Sequence, residues 1–119
     1  MGFSSVEDVH AIEQETPWSE RELPATVYDM LDKIASKMPD ANAVSFQLMS
    51  GANSKAETLS WSQLRAQVTQ AANLFSRLGI GENDVVAFVL PNSMETVVAL
   101  LGGAVAGIVS PINPLLSPE

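Results

Sequence analysis

The chain has 119 residues, 46% of them apolar, with no cysteine and a net charge of −8. That length suits one domain, which buries roughly two-thirds of the surface its unfolded form exposes, and the apolar share argues against wholesale disorder. Without cysteine there are no disulfides, thiolate metal sites or cysteine nucleophile, and cytoplasm is the expected location; the acidic balance disfavours nucleic acid and anionic membrane, which call for a basic patch.

Residues 1–24 are polar and acidic, carry Pro17 and Pro24, and sustain neither a helical nor a strand period. They read as an extended acidic lead with Trp18 as its anchor. Residues 1–32 hold eight acids against Arg21 alone, −7 of the chain's −8. A solvated surface segment is the expected role, an interaction tail the alternative. No secretory signal is expected, since acids stand where a basic stretch and an apolar core would be. His10 is the sole histidine. One His without a fixed partner makes neither a metal site nor a triad, so it is expected to be solvent-exposed.

Residues 25–119 read as the folded part. Thr26 with Asp29 has capping-box spacing, Val27, Met30, Leu31, Ile34 and Met38 form one apolar stripe, and Pro39 stops the helix. Val44, Phe46 and Leu48 alternate with polar residues, as in a strand with one buried face. The turn-forming run Ser50–Ser54 then predicts a hairpin whose second strand spans Lys55–Leu59. Ser60 and Gln63 make the clearest helix start, a capping box. Leu64, Val68, Ala71, Ala72, Phe75 and Leu78 follow as one stripe that ends at Gly79.

Asp84–Asn113 reads as a complete strand, helix, strand unit. Val85–Leu90 is a continuous apolar run, the pattern of a parallel strand buried on both faces. Asn92 or Ser93 supplies the N-cap, and Met94, Val97, Val98, Leu101, Ala104 and Val105 share one helix face. Gly107 ends the helix, and Ile108 and Val109 begin a second strand that Pro111 closes. Ligands of parallel sheets sit at the carboxyl ends of the strands. This places Pro91–Ser93 and Ser110–Asn113 on the ligand side, with Asn92, Ser93 and Asn113 as the candidate residues. A phosphate-binding crossover would need glycines just after its first strand. Gly102, Gly103 and Gly107 instead lie inside or after the helix, where they serve close packing. The uncharged run Thr96–Val109 is too short for a membrane span and carries three glycines. Ser117, Pro118 and Glu119 have the form of a helix start, so the chain is expected to be truncated.

The TLSWSQL segment at Thr58–Leu64, the run from Leu78 to Pro114 and the closing SPE together resemble the amino-terminal region of adenylate-forming (AMP-binding) enzymes. Within these it is most similar to acyl-CoA synthetases and 4-coumarate-CoA ligase-like proteins. TLSWSQL resembles the family's first core motif and Leu101–Asn113 its second. The resemblance implies an α/β fold: a partial N-terminal subdomain with helices packed on a mostly parallel sheet and a β-hairpin. It implies an intact ligase that joins a carboxylic acid to AMP using ATP and Mg2+, then passes the acyl group to coenzyme A. It also implies that this chain stops before the phosphate loop, the metal-side glutamate, the ribose aspartate and the lysine of the mobile domain. No catalytic, nucleotide-binding or metal residue is therefore carried over, and the chain by itself is expected to bind no cofactor and to be inactive. Gly102 and Gly103 depart from the bulkier or alanine-like residues more usual there, each costing up to ~1 kcal/mol in a helix interior.

The leading expectation is a non-catalytic fragment whose partner is the remainder of the polypeptide and which self-associates when alone. The alternative is a free-standing α/β module that binds through its acidic lead. A phosphate loop or a stop codon just beyond Glu119 separates the two.

Overall fold

A computed structural model describes residues 5–116, so the predicted helix start at Ser117–Glu119 lies outside the described residues. The first element corrects the sequence reading. Val6–Glu15 is a helix, α1, where an extended lead is expected. Its cause is a capping box: the Ser5 hydroxyl accepts from the Asp8 backbone N–H at 3.2 Å, and the Asp8 carboxylate accepts from the Ser5 N–H at 3.1 Å. α1 buries none of its residues. Trp18, the expected anchor, is 73% exposed. Its ring lies against the Arg21 guanidinium at 5.1 Å, a cation–π contact on the surface rather than a plug in the core.

Thr26 caps α2 (Val27–Lys37), with its hydroxyl accepting from Asp29 N–H at 3.0 Å. The predicted stripe is buried at Leu31, whereas Met30 and Met38 are exposed. β1 (Asn42–Phe46) and β2 (Glu57–Ser60) form the expected antiparallel hairpin, in the register Val44↔Leu59 and Phe46↔Glu57. The second strand starts two residues later than expected, and Leu48, predicted on the buried face, stands 80% exposed in the connecting loop. Gln47 closes that loop by donating its amide to the carbonyls of Gly51 and Ser54.

α3 (Trp61–Arg77) starts where the capping box places it. The Ser60 hydroxyl accepts from Gln63 N–H at 3.3 Å, and the Gln63 amide oxygen accepts from Ser60 N–H at 2.9 Å. It ends in a Schellman motif: Ile80 N–H reaches Phe75 C=O and Gly79 N–H reaches Ser76 C=O, with Gly79 at φ 93°, which only glycine adopts without strain. Leu31, Leu64 and Val68 form the buried core, and Val44, Leu59, Trp61, Val97 and Leu101 pack around it. An Arg65–Asp32 ion pair at 2.7 Å ties α3 to α2 on the surface.

β3 (Val85–Phe88), α4 (Met94–Ala106) and β4 (Ile108–Pro111) make the predicted unit, with β3 and β4 parallel in the register Val85↔Ile108 through Phe88↔Pro111. The hairpin and this pair are two separate two-stranded sheets. The three glycines pack closely, as expected. A methyl group on Gly102 would come 2.6 Å from Ala71 Cβ, which lets α3 and α4 touch backbone to backbone. One on Gly103 would press on Val109 and Val86 at 3.1–3.4 Å, so α4 lies directly on that face of the sheet. One on Gly107 would stand 2.5 Å from Gly81 C=O.

A correction concerns the other face. Val85–Leu90 is expected to be buried on both sides, but burial alternates along β3, with Val85 52% exposed, and Val89 just after the strand is 55% exposed. Among the described residues only one face of this sheet is covered by a helix, α4.

Candidate functional site

The loops at the carboxyl ends of β3 and β4 hold the three candidate residues, and their side chains are placed unequally. Ser93 is the N-cap of α4: its hydroxyl accepts from Thr96 N–H at 3.3 Å and lies 3.3 Å from the Thr96 hydroxyl. The Thr96 hydroxyl in turn donates to Pro91 C=O, pinning the turn to the helix it starts. Asn92 is exposed beside it. Together Asn92 and Ser93 border a small cleft of about 210 Å³ whose opposite wall is Val44, Ser45 and Phe46 of β1. Asn113 lies outside that cleft. Its side-chain oxygen accepts from Leu115 N–H at 3.0 Å, a local turn that shapes the exit from β4.

Charge decides what the α4 N-terminus can hold. Glu95 sits in the first turn, and its carboxylate is held below the usual carboxylate range by its own backbone N–H and by the Ser93 hydroxyl. An anionic side chain therefore already occupies the positive end of the helix. This carboxylate and a turn with no glycine both disfavour a phosphate at that position. His10 is exposed and lies 3.4 Å from Glu13. Among the described residues no three His, Cys, Asp or Glu side chains gather in a metal-binding group, and no helix is long and apolar enough to cross a membrane.

Two larger grooves went unseen in the sequence. One, about 440 Å³, lies between β2, α3 and α4, with Leu59, Ala71, Phe75 and Val98 in its walls and Glu57 and Glu95 beside them. The other, about 460 Å³, is apolar and runs between α2, β1, α3 and α4, past Met30, Ile34, Trp61 and Val97. Each draws on segments distant along the chain, so no local pattern announces it.

The family model described as AMP-binding enzyme matches residues 31–119. The chain belongs to that family. Marinolic acid–CoA ligase of Pseudoalteromonas sp. (strain SANK 73390) is 37% identical over 113 residues, 95% of this chain and 17% of that enzyme. Long-chain-fatty-acid–AMP ligase FadD26 of Mycobacterium marinum (strain ATCC BAA-535 / M) is 32% identical over 104 residues, 87% of this chain and 17% of that enzyme. Among solved structures, a Mycobacterium tuberculosis fatty acyl CoA synthetase superposes with a TM-score of 0.64 at 26% identity, covering 77% of this chain and 17% of that one. The N-terminal subdomain of Klebsiella oxytoca NpsA gives 0.64 at 23% identity over 79% of this chain and 23% of that one, a likeness of fold alone. The fold described above is thus a partial α/β subdomain from the N-terminal region of an adenylate-forming enzyme. The chain spans about 17% of the length of the curated relatives above.

Proposed function

We propose that this chain is the amino-terminal structural portion of an ATP-dependent acyl-CoA synthetase-like ligase and performs no catalytic step by itself. In the intact ligase a carboxylate attacks the α-phosphorus of ATP to give an acyl adenylate and pyrophosphate. The thiol of coenzyme A then displaces AMP to give the thioester, with Mg2+ serving the nucleotide. The observation that carries this reading is the family match over residues 31–119 in a chain spanning 17% of the two curated ligases named above. The α4 N-terminus agrees with it, since Glu95 in the first turn and the glycine-free turn before it disfavour a phosphate there.

This chain's own contribution is positional. The Ser93 cap and the Asn113 turn hold the two loops at the carboxyl ends of β3 and β4. Asn92, Ser93 and Asn113 are proposed to face the ligand side of the intact enzyme. The remainder of the polypeptide is the proposed partner, the isolated chain is proposed to self-associate, and the location is proposed to be cytoplasmic.

ATP–pyrophosphate exchange tests the reading. The isolated chain is expected to give none with any carboxylic acid, and the longer ligase polypeptide that carries it to give exchange. Exchange by the isolated chain that a point substitution within it abolishes would overturn the proposal. A second reading, a free-standing module that binds through its acidic lead, draws on α1, which is capped by its own residues and buries none of them.

A further inference from the structure

The groove between β2, α3 and α4 combines apolar walls with two carboxylates. Leu59, Ala71, Phe75 and Val98 form the walls of its volume of about 440 Å³. Glu57 and Glu95 line it as well, and no described Lys, Arg or His does. Residues two apart on a strand share a face, so Glu57 stands on the side of β2 that Leu59 turns to the helices, where alternation calls for an apolar residue. Its cross-strand partner is Phe46, which offers no charge to answer it. Among the described residues Arg65 pairs with Asp32 and His10 with Glu13, so neither groove carboxylate has an ion-pair partner. Glu95 is accounted for by the α4 N-terminus, whose positive end it offsets. The charge of Glu57 is left over.

We infer that the groove between β2, α3 and α4 binds a small organic cation, a primary ammonium group on an apolar stem, with the ammonium at Glu57 and the stem along Leu59, Ala71, Phe75 and Val98. This goes beyond the ligase reading, which gives the groove no role and calls for no ligand of this kind. An anion is turned away by the two carboxylates, of which Glu95 stays ionised because its own backbone N–H and the Ser93 hydroxyl favour the charged form. A bare metal ion would leave the apolar walls unused, and among the described residues no third His, Cys, Asp or Glu joins the two. A protein partner needs far more area than one groove presents, whereas small-ligand sites are apolar clefts of roughly 300–1,000 Å³ with a few polar groups. An ammonium donates charge-assisted hydrogen bonds to carboxylate oxygens, and its apolar stem displaces water from the walls. Thr58 and Gln67, also in the lining, supply acceptors for the remaining N–H donors.

Hexylammonium is the probe, with hexanol and hexanoate as its uncharged and anionic counterparts. Ligand-observed NMR titrations at low protein concentration and low salt give the affinities of the isolated chain and of the longer ligase polypeptide. Hexylammonium is expected to bind both in the ~millimolar range, as befits a ligand of few atoms, and at least ~tenfold more tightly than hexanol or hexanoate. Glu57→Gln is expected to weaken hexylammonium ~fivefold or more and to leave hexanol unchanged. Glu82→Gln removes the same charge from an exposed turn outside the groove. It is expected to change neither affinity, which separates a site from the general pull of a chain with net charge −8. Equal losses from Glu57→Gln and Glu82→Gln would overturn the proposal. So would hexanol binding as tightly as hexylammonium, which would leave an apolar patch only. Binding by the isolated chain that the longer polypeptide lacks would make the groove a seat for the rest of the chain and would also overturn it. A capped lysine residue that binds more tightly than hexylammonium would make a protein the occupant and would do the same.

Discussion

The two faces of the β3–β4 sheet are built from the same kinds of residue and meet opposite fates. Val86 and Val109 lie under α4, which reaches them because Gly103 has no side chain to hold it off. Val85 and Ile108, their immediate neighbours in sequence and pairing, stand half exposed. The residues on the two faces do not say which has a cover; the helix that this chain supplies does. Apolarity on both sides of a strand is the pattern of a sheet covered on both faces, and among the described residues α4 covers one of them. Burying a Val or Ile side chain fully contributes roughly 1.5–3 kcal/mol. Val85, Val89, Ile108 and Ile112, each about half exposed, together forfeit several kcal/mol, comparable with the whole stability of a small domain.

The closed half of the molecule should therefore be the part that mutation damages. Leu64, 2% exposed at the centre of the core, is the largest lever. Leu64→Ala is expected to cost ~2–5 kcal/mol in urea unfolding, enough to remove the cooperative transition of a marginal domain. A loss below ~1 kcal/mol would mean that the α2–α3–α4 core is as loose as the half-exposed face of β3–β4, and the contrast between the two regions would vanish. Gly102→Ala sharpens the same contrast where α3 and α4 touch. The added methyl would meet Ala71 Cβ at 2.6 Å. Overpacking of ~1–3 kcal/mol should exceed the helix-propensity gain of up to ~1 kcal/mol, for a net loss of stability. A stabilised variant would show that the helices are free to move apart.

A smaller effect tests the local signals that made the closed half legible. Ser60→Ala removes the hydroxyl that accepts from Gln63 N–H and is expected to cost ~1 kcal/mol. Ser62→Ala loses only the 3.0 Å contact between the two serine hydroxyls and should change stability by less than ~0.5 kcal/mol. Equal effects in a urea titration would mean that the cap is not what starts α3.

These signals were readable because each is complete within a few residues. Ser60 with Gln63, Gly79 after Arg77, and Ser93 before Met94 are all satisfied by backbone groups one turn away. The same rule applied to Ser5 and Asp8 would have found α1, but the acidic surroundings and two prolines masked its valines at three-residue spacing. Trp18 and Leu48 misled for a different reason: large apolar residues carry a burial expectation that only tertiary neighbours can fulfil, and among the described residues none does. Of the candidate site, the position of Asn92 and Ser93 after β3 was legible, since chain direction alone sets it. The wall that β1 places opposite them was not, because Val44 and Ser93 are brought together only by the packing of the hairpin on α4. The grooves beside α3 and α4 were illegible for the same reason.

Sedimentation with hydrophobic-dye binding, on the isolated chain and on a Val85→Lys, Ile108→Lys variant, tests the central claim most directly: a domain closed on one side of β3–β4 and open on the other. The account predicts a mass that rises with concentration and strong dye binding for the unsubstituted chain, with both reduced in the variant at unchanged unfolding midpoint, because the two lysines stand on a face that no helix among the described residues covers. A chain that stays monomeric at every concentration, binds no dye and loses its cooperative melt when the lysines are introduced would contradict it.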